Sequence, residues 1–290
     1  HHTDKFAELV CSNSLKSNAL DNASGLMKEE MRMLDSLIIK CADETKVPAG
    51  QALAVDRDKF AELVTEKLKE NPNIEIINEE VENIEDDSIT IIATGPLTSE
   101  KLTNQILKLT GEEELYFYDA AAPIIEKESI DFGVAFYGDR YSQEKKKDET
   151  IEEWQQRQAN ETKDYINLPM NKEEYENFVQ ELINAEVVNL HDFEKKEIFE
   201  GCMPIEIMAK RGEETLRFGP LKPVGIFNPK TGEKYYAVVQ LRKENNAENL
   251  LILITFIGGA VFHFVVWEEV CKSKELKYQN YRKIDLIVIH

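Results

Sequence analysis

The run from Leu250 to Trp267, LLILITFIGGAVFHFVVW, is the feature that most limits the folds open to this chain, because it holds 18 residues without a formal charge. That length lies at the lower limit for a helix that crosses a membrane. The run is also rich in β-branched and aromatic residues, and Gly258-Gly259 interrupts it. Two apolar arms around a Gly-Gly pair are typical of a β-hairpin, so the sequence favours a buried hairpin. A membrane span stays the alternative, and we expect membrane contact only if this run is exposed.

Upstream of this run, strand and helix patterns alternate. Short apolar runs at residues 52–55, 74–77 and 88–93 predict strands. A helix is predicted from Asp58 to Leu68, ahead of a breaking Asn-Pro pair. Alternating strands and helices are typical of an α/β layer, which is the fold class that we predict.

A second unit is predicted after Gly111. Residues 171–185 have the spacing of an amphipathic helix, with Asn171 as its N-cap and acidic residues in its first turn. A strand is predicted over residues 235–241, and the charged stretch 143–163 is predicted to be an exposed loop or a solvated helix. This mixture predicts an α+β unit.

The charge balance limits the classes of function that are open to this chain. The net charge is −20, so the chain is not a general binder of polyanions, and contact with nucleic acid would need a local basic patch. The four cysteines form no CxxC pair and the five histidines lack zinc-ligand spacing, so we expect no metal site. Few cysteines in a chain of 290 residues fit a reducing, cytoplasmic compartment. The motifs GxGxxG, GxSxG and HExxH do not occur.

Cys202 lies in the unusual setting FEGCMPIE, between Gly201 and a Met-Pro pair. Glycine and proline break regular structure, so this thiol is predicted to lie on a turn. Four basic residues that follow it could favour the thiolate: Lys210, Arg211, Arg217 and Lys222. The alternative interpretation is a half-buried structural cysteine.

Cys11 opens the stretch CSNSLKSN, which is rich in hydroxyl and amide groups. Donors of this kind at a helix start lower the pKa of a thiol and can bind anionic groups. The alternative is a capping region with an incidental thiol. A second candidate contact is the turn at Thr94-Gly95, where small residues after a predicted strand would let a ligand approach the backbone.

Several long segments together resemble one family, the folate- and flavin-dependent tRNA (uracil-5)-methyltransferases, which are relatives of the glucose-inhibited-division flavoproteins. These segments occur in family order between about Phe6 and Asn245. They are FAELVCSNSLKSNAL, GLMKEEMRMLDSLI, VPAGQALAVDR, ATGPLTSE, LYFYDAAAPIIEKESID, YINLPMNKEEYENF, FEGCMPIEIMAKRGEETLRFGPLKPVG and YYAVVQLRKEN.

The resemblance implies methyl transfer to C5 of a T-loop uridine in tRNA. Methylenetetrahydrofolate would supply the carbon, FAD would pass it on, and NAD(P)H would supply electrons. By resemblance Cys202 is the nucleophile toward uracil, and Cys11 lies by the flavin. The residues expected to bind the cofactor are Ser12, Asn13, Ser14, Thr94 and Gly95. The residues expected to contact tRNA are Lys210, Arg211, Arg217, Lys222 and Arg242.

The resemblance also implies the domain organisation. Residues 1–98 would form part of a glutathione-reductase-like FAD-binding domain, which is incomplete because the family's GxGxxG unit precedes the first cysteine motif. Residues 99–249 would form an inserted α+β domain. Residues 250–290 would be a diverged segment, which could form a β-hairpin that returns to the first domain.

Three departures from the family pattern keep alternatives open. The resemblance stops near Asn246, residues 143–163 exceed the family pattern, and Leu168 stands where a cysteine is common. The alternatives are a non-catalytic RNA- or protein-binding remnant and a membrane-associated product.

Overall fold

The computed structural model describes residues 3–9, 12–84, 89–94, 98–111, 124–140, 142, 144–159, 163–185, 205–246 and 250–253. The helices in these ranges are α1 (Ala23–Met33), α2 (Leu37–Glu44), α3 (Arg57–Glu70), α4 (Glu100–Thr110), α5 (Ile151–Gln158), α6 (Lys172–Asn184), α7 (Ile205–Lys210) and α8 (Thr215–Phe218). The strands are β1 (Ser14–Ser17), β2 (Lys46–Val47), β3 (Ala52–Val55), β4 (Ile124–Glu126), β5 (Phe136–Tyr137), β6 (Tyr165–Met170), β7 (Ala237–Lys243) and β8 (Leu250–Leu253). This mixture of helices and sheets confirms the coarse prediction of an α/β fold.

The first sheet has the strand order β1-β3-β2, and both of its strand pairs are antiparallel. Helix α3 packs against it through side chains three and four positions apart, including Phe60 and Val64, which join Leu53 and Val55 of β3 in one core. The side chain of Asp56 caps α3 by accepting a hydrogen bond from the Lys59 amide. The predicted helix over 58–68 is therefore confirmed.

A tightly bonded loop leads from β1 into α1. The Asn22 side chain accepts a hydrogen bond from the Gly25 amide at 3.0 Å and donates one to the Ser17 hydroxyl at 2.6 Å. The buried Lys28 ammonium donates to the carbonyl oxygens of Ser17 and Ser24. Burial lowers the pKa of Lys28, and the nearby Arg32 acts in the same direction. Position 25 accepts only glycine, because a Cβ there would lie 1.9 Å from the Ala19 carbonyl oxygen.

The second sheet has the strand order β4-β8-β7-β6-β5, and its pairs are also antiparallel. Strands β6 and β7 pair along their length, from Tyr165 opposite Arg242 to Met170 opposite Ala237. Helix α6 covers one face of this sheet and contributes Phe178 to its core.

Two capping boxes fix helices of the second unit. In α6 the side chain of Asn171 accepts from the Glu174 amide while Glu174 accepts from the Asn171 amide, and Thr150 and Glu153 repeat this arrangement in α5. The predicted helix over 171–185, with its N-cap at Asn171, is confirmed. Helix α5 lies in the charged stretch 143–163 and carries Trp154, which is buried against Phe227. That stretch is therefore anchored to the second unit rather than simply solvated.

The strands predicted at residues 74–77 and 88–93 are wrong over the residues that the structure covers there. Residues 74–77 and 89–93 adopt no strand, and Ile77 and Ile91 are largely exposed. Of the predicted hairpin at residues 250–267, only β8 is described. It pairs with β7 and β4. The rest of the hairpin lies outside the described residues.

In the part of the chain that the structure covers, no helix is both long enough and apolar enough to span a bilayer.

Candidate functional site

The two sheets meet at Asn13, which has no exposed surface. Its side-chain amide donates to the carbonyl oxygens of Lys243 at 3.0 Å and Glu244 at 3.4 Å, both at the end of β7. Its backbone carbonyl accepts from the Val55 amide of β3 at 2.9 Å. Asn13 therefore ties the first sheet to the end of β7.

Arg242 holds the other side of this amide. One of its terminal nitrogens, Nη2, donates to the Asn13 Oδ1 atom at 2.6 Å and to the Ser12 hydroxyl at 3.2 Å. Only 5% of Arg242 is exposed, and its Nε atom has no hydrogen-bond partner in the described ranges. Burial lowers the pKa of the Arg242 guanidinium, and the nearby Glu244 carboxylate opposes that shift.

The Glu244 carboxylate completes the junction, which is the set of contacts that joins the first sheet to the end of β7. Glu244 is buried and accepts a hydrogen bond from the Arg57 guanidinium at the start of α3. Burial raises the pKa of Glu244, and the Arg57 charge acts against this rise. Beside it, the Asp56 carboxylate accepts from the Asn246 amide at 3.1 Å. The start of α3 is therefore bound to the residues that follow β7.

A second contact joins the sheets at the start of β6. The Tyr165 hydroxyl donates to the Ala49 carbonyl oxygen at 2.6 Å, and the Gly50 amide donates to Asp164 at 2.7 Å. Asp139 in turn accepts from the Asp164 amide at 2.6 Å. The Tyr165 hydroxyl also hydrogen-bonds the Arg242 side chain opposite it, so this contact adjoins the one at Asn13.

Comparison with known proteins identifies the family. The family model described as "Glucose inhibited division protein A" matches residues 1–257. The chain belongs to the glucose-inhibited division protein A family. The match extends beyond Asn245, where the sequence resemblance was expected to stop.

Individual curated proteins are closely similar to this chain over most of its length. The chain is 55% identical over 256 residues to a protein of Acetivibrio thermocellus and 56% identical to one of Natranaerobius thermophilus, in each case over 88% of this chain and 55% of that protein. It is 53% identical to a Lactobacillus helveticus protein, over 88% of this chain and 59% of that protein. All three are named methylenetetrahydrofolate--tRNA-(uracil-5-)-methyltransferase TrmFO. The chain spans somewhat more than half the length of these curated relatives.

The structure tests the positions of only some predicted site residues. Cys11, Cys202 and Gly95 lie outside the described residues. Ser12 and Asn13 meet at the junction with Arg242, as described above. Ser14 lies in β1 and is partly exposed, whereas Thr94 is exposed, with its hydroxyl 2.6 Å from that of Thr98.

The predicted tRNA-contacting residues divide into three classes. Lys210, Arg211 and Lys222 are exposed around α7 and α8. Arg217 is half-buried, pairs with Glu214, and stacks on the rings of Phe218 and Tyr236. Arg242 is buried against Ser12 and Asn13, so the expectation that it contacts tRNA does not fit its position.

Sequence reasoning missed Arg57, Glu244 and Tyr165 as parts of the junction. A charged residue that follows an apolar strand, as Glu244 does, is a weak signal because most such residues are solvated. In the ranges covered here, no group of three or more His, Cys, Asp or Glu side chains is arranged to hold a metal ion.

Proposed function

We propose that this chain belongs to a folate- and flavin-dependent methyltransferase that modifies C5 of a T-loop uridine in tRNA. The observation that carries the proposal is the 55% identity over 256 residues to a relative named for this activity. The contacts at Asn13 support it, because Ser12 and Asn13, which follow Cys11 in the sequence, join that segment to the second sheet.

Cys202 is proposed as the nucleophile and Cys11 as its partner near the cofactor. C5 of uracil is a poor nucleophile. When a thiolate adds to C6, a carbon–sulfur bond forms and the electron pair moves to C5, which can then attack an electrophilic one-carbon unit. Loss of the C5 proton and expulsion of the thiolate would restore the ring. The target base must leave its stack to be reached.

FAD fits the described residues in part. Ser12 and Ser14 are partly exposed and Thr94 is exposed, so their hydroxyl groups could hold polar atoms of the cofactor. Asn13 does not fit this role, because its amide is fully buried and bonded to the Glu244 segment and Arg242. When bound, the reduced flavin would supply electrons for forming a methyl group. Methylenetetrahydrofolate and NAD(P)H are the proposed co-substrates.

The proposed tRNA surface consists of Lys210, Arg211 and Lys222, with Arg217 at its edge. These cations could neutralise backbone phosphates in spite of the overall negative charge. Arg242 is not part of this surface.

The finer domain organisation is also proposed. The first sheet would belong to a glutathione-reductase-like FAD-binding domain over residues 1–98, and the second to an inserted α+β domain that begins at residue 99. That domain was expected to end at residue 249, but β8 pairs with β4 and β7, so the inserted domain extends at least to Leu253. The residues that follow would return to the FAD-binding domain. Two separate antiparallel sheets support this division. A cytoplasmic location is proposed from the low cysteine count.

Covalent trapping tests the nucleophile. The full chain is incubated with FAD, NADPH, methylenetetrahydrofolate and a T-loop stem-loop RNA that carries 5-fluorouracil at the target position, and adducts are resolved on a denaturing gel. Once C5 has received the one-carbon unit, its fluorine cannot leave as a proton would, so the thiol adduct should persist. We expect an adduct with the unsubstituted chain and with the control Cys271→Ala, and none with Cys202→Ala.

Equal trapping by Cys202→Ala would overturn the role of Cys202. If no chain forms an adduct while the RNA is still retarded on a native gel, the non-catalytic RNA-binding alternative replaces the methyltransferase. Titration with FAD, followed by quenching of flavin fluorescence, tests the cofactor separately. A chain that leaves this fluorescence unchanged does not hold FAD.

A further inference from the structure

We infer that Arg242 is a positioning residue, which fixes the backbone beside Cys11 by holding Ser12 and Asn13 against the end of β7. The inference rests on the proposed function only in giving Cys11 a role. The contacts themselves belong to the junction between the two sheets.

The Asn13 amide is bound from both of its ends by one short segment. Its oxygen accepts from Arg242 at 2.6 Å, and its nitrogen donates to the carbonyl oxygens of Lys243 and Glu244. Because these partners are consecutive along the chain, the amide can take only one orientation relative to β7. The Asn13 carbonyl is fixed as well, by the Val55 amide.

Ser12 extends this control toward Cys11, which directly precedes it in the sequence. The Arg242 Nη2 atom reaches Ser12 and Asn13 together, so a single guanidinium nitrogen sets two successive side chains. The planar guanidinium holds its donors in a fixed fork, whereas a lysine ammonium is a point charge on a flexible stem. Arg242→Lys should therefore keep the positive charge but lose the simultaneous hydrogen bonds to Ser12 and Asn13.

The hydrogen bonds of Arg242 to Ser12 and Asn13 explain its burial better than a contribution to the free energy of unfolding does. A buried charge such as the Arg242 guanidinium is weak evidence for stabilisation, because its desolvation offsets the attraction of its surroundings. Here the Nε atom also has no partner in the described ranges, and the Glu244 Oε2 atom likewise has none. A packed apolar side chain would avoid both costs, but it could not bind Ser12 and Asn13.

The Asp164–Gly50 contact provides a matched control. The Asp164 carboxylate accepts from the Gly50 amide at 2.7 Å and so joins the two sheets at the start of β6. The neighbouring Tyr165 is unsuitable, because its hydroxyl hydrogen-bonds Arg242 itself. Asp164→Ala should loosen this other attachment point while leaving the Arg242 contacts in place.

The test compares Arg242→Lys with Asp164→Ala in the full chain. Hydrogen exchange is measured on peptides that cover residues 12–17 and 52–56, with a peptide over 172–184 as the reference. Arg242→Lys should speed exchange at 12–17 and 52–56 by about tenfold through local opening and leave 172–184 unchanged. Asp164→Ala should leave exchange at 12–17 unchanged.

Thiol reactivity gives a second readout at the proposed site. Iodoacetamide labelling of Cys11 is followed by peptide mass spectrometry from pH 6 to pH 10, with Cys202 in the same molecules as the reference. Arg242→Lys should change the pH profile of Cys11 relative to that of Cys202. A general loss of stability would change both profiles together.

Unchanged exchange at 12–17 in Arg242→Lys, or equal acceleration in all peptides, would overturn the inference. If Arg242→Lys does not fold, Ser12→Ala takes its place, since it removes one of the two Arg242 contacts and should give a smaller local change of the same kind. Neither readout requires methyl transfer, so failure of the trapping experiment leaves this test intact.

Discussion

The Tyr165 hydroxyl donates a hydrogen bond to the Ala49 carbonyl oxygen at 2.6 Å across 116 positions of sequence. Tyr165 begins β6 of the second sheet, and Ala49 is a buried residue in the turn before β3 of the first. Burial raises the pKa of the Tyr165 hydroxyl, so it stays protonated and able to donate well into the alkaline range.

Tyr165→Phe should lower the free energy of unfolding by about 1 kcal/mol, the usual net contribution of one hydrogen bond, or somewhat more because the Ala49 carbonyl stays buried. Urea denaturation followed by circular dichroism measures this loss. Tyr137→Phe is the control, because Tyr137 is 42% exposed and its ring would be kept. Equal losses in the two variants would show that the contact with Ala49 does not stabilise the fold.

Gly25→Ala should destabilise the chain by about 3 kcal/mol or more, because overpacking against rigid backbone cannot be relieved by a rotamer change. The added Cβ would lie 1.9 Å from the Ala19 carbonyl oxygen. Gly111→Ala is the matched control. Its φ is +72° but no atom lies within 4 Å of the added Cβ, so only about 1 kcal/mol of backbone strain is expected. Thermal melting of the two variants compares these costs, and similar losses would contradict the clash.

Glu149→Gln should remove a pH-dependent contribution to stability. Arg157 binds both carboxylate oxygens of Glu149 at 2.8 Å, and this pair, helped by the Lys146 amide, lowers the pKa of Glu149 from 4.5 to about 2. A lowered folded-state pKa means that the stabilisation is complete above the unfolded value and is lost as pH falls through the folded one.

The difference in unfolding free energy between the unsubstituted chain and Glu149→Gln should therefore be constant above pH 4.5 and shrink toward pH 2. Urea denaturation at several pH values measures it. Glu144→Gln is the control, because the Glu144 carboxylate is largely exposed and its 3.4 Å contact with Lys234 is screened by solvent. A difference that does not vary with pH would exclude the Glu149–Arg157 pair as its source.

Local patterns predicted local structure well. Helix α6 was predictable because its cap, its acidic first turn and its apolar spacing all lie within residues 171–185. The strands predicted at 74–77 and 88–93 failed for the opposite reason. A strand needs a partner, and an apolar run alone does not specify which segment will supply the hydrogen bonds.

The junction was beyond sequence reasoning for the same physical reason. Asn13 and Arg242 are 229 positions apart, and no local pattern links them. Arg242 was expected at a tRNA surface as one of five basic residues that could contact phosphate groups. Its burial arises from strand register and from the position of the first sheet, neither of which the sequence pattern specifies.

The exposed lysines around α7 and α8 should contribute to RNA binding. Lys210→Gln and Lys222→Gln should each weaken the binding of a T-loop stem-loop RNA, because each variant loses one phosphate contact. Each should also reduce the slope of log affinity against log salt by about 1. Fluorescence anisotropy between 50 and 200 mM salt, a range in which such affinities fall steeply, measures both quantities.

Lys108→Gln is the control for this comparison, since Lys108 is an exposed lysine on α4, outside the proposed surface. It removes the same charge, so a general electrostatic effect would weaken binding equally in all three variants. A reduced salt slope confined to Lys210→Gln and Lys222→Gln would locate the RNA at α7 and the turn that follows α8. An equal reduction in Lys108→Gln would instead mean that the RNA senses only the net charge of the chain, and the proposed surface would have to be abandoned.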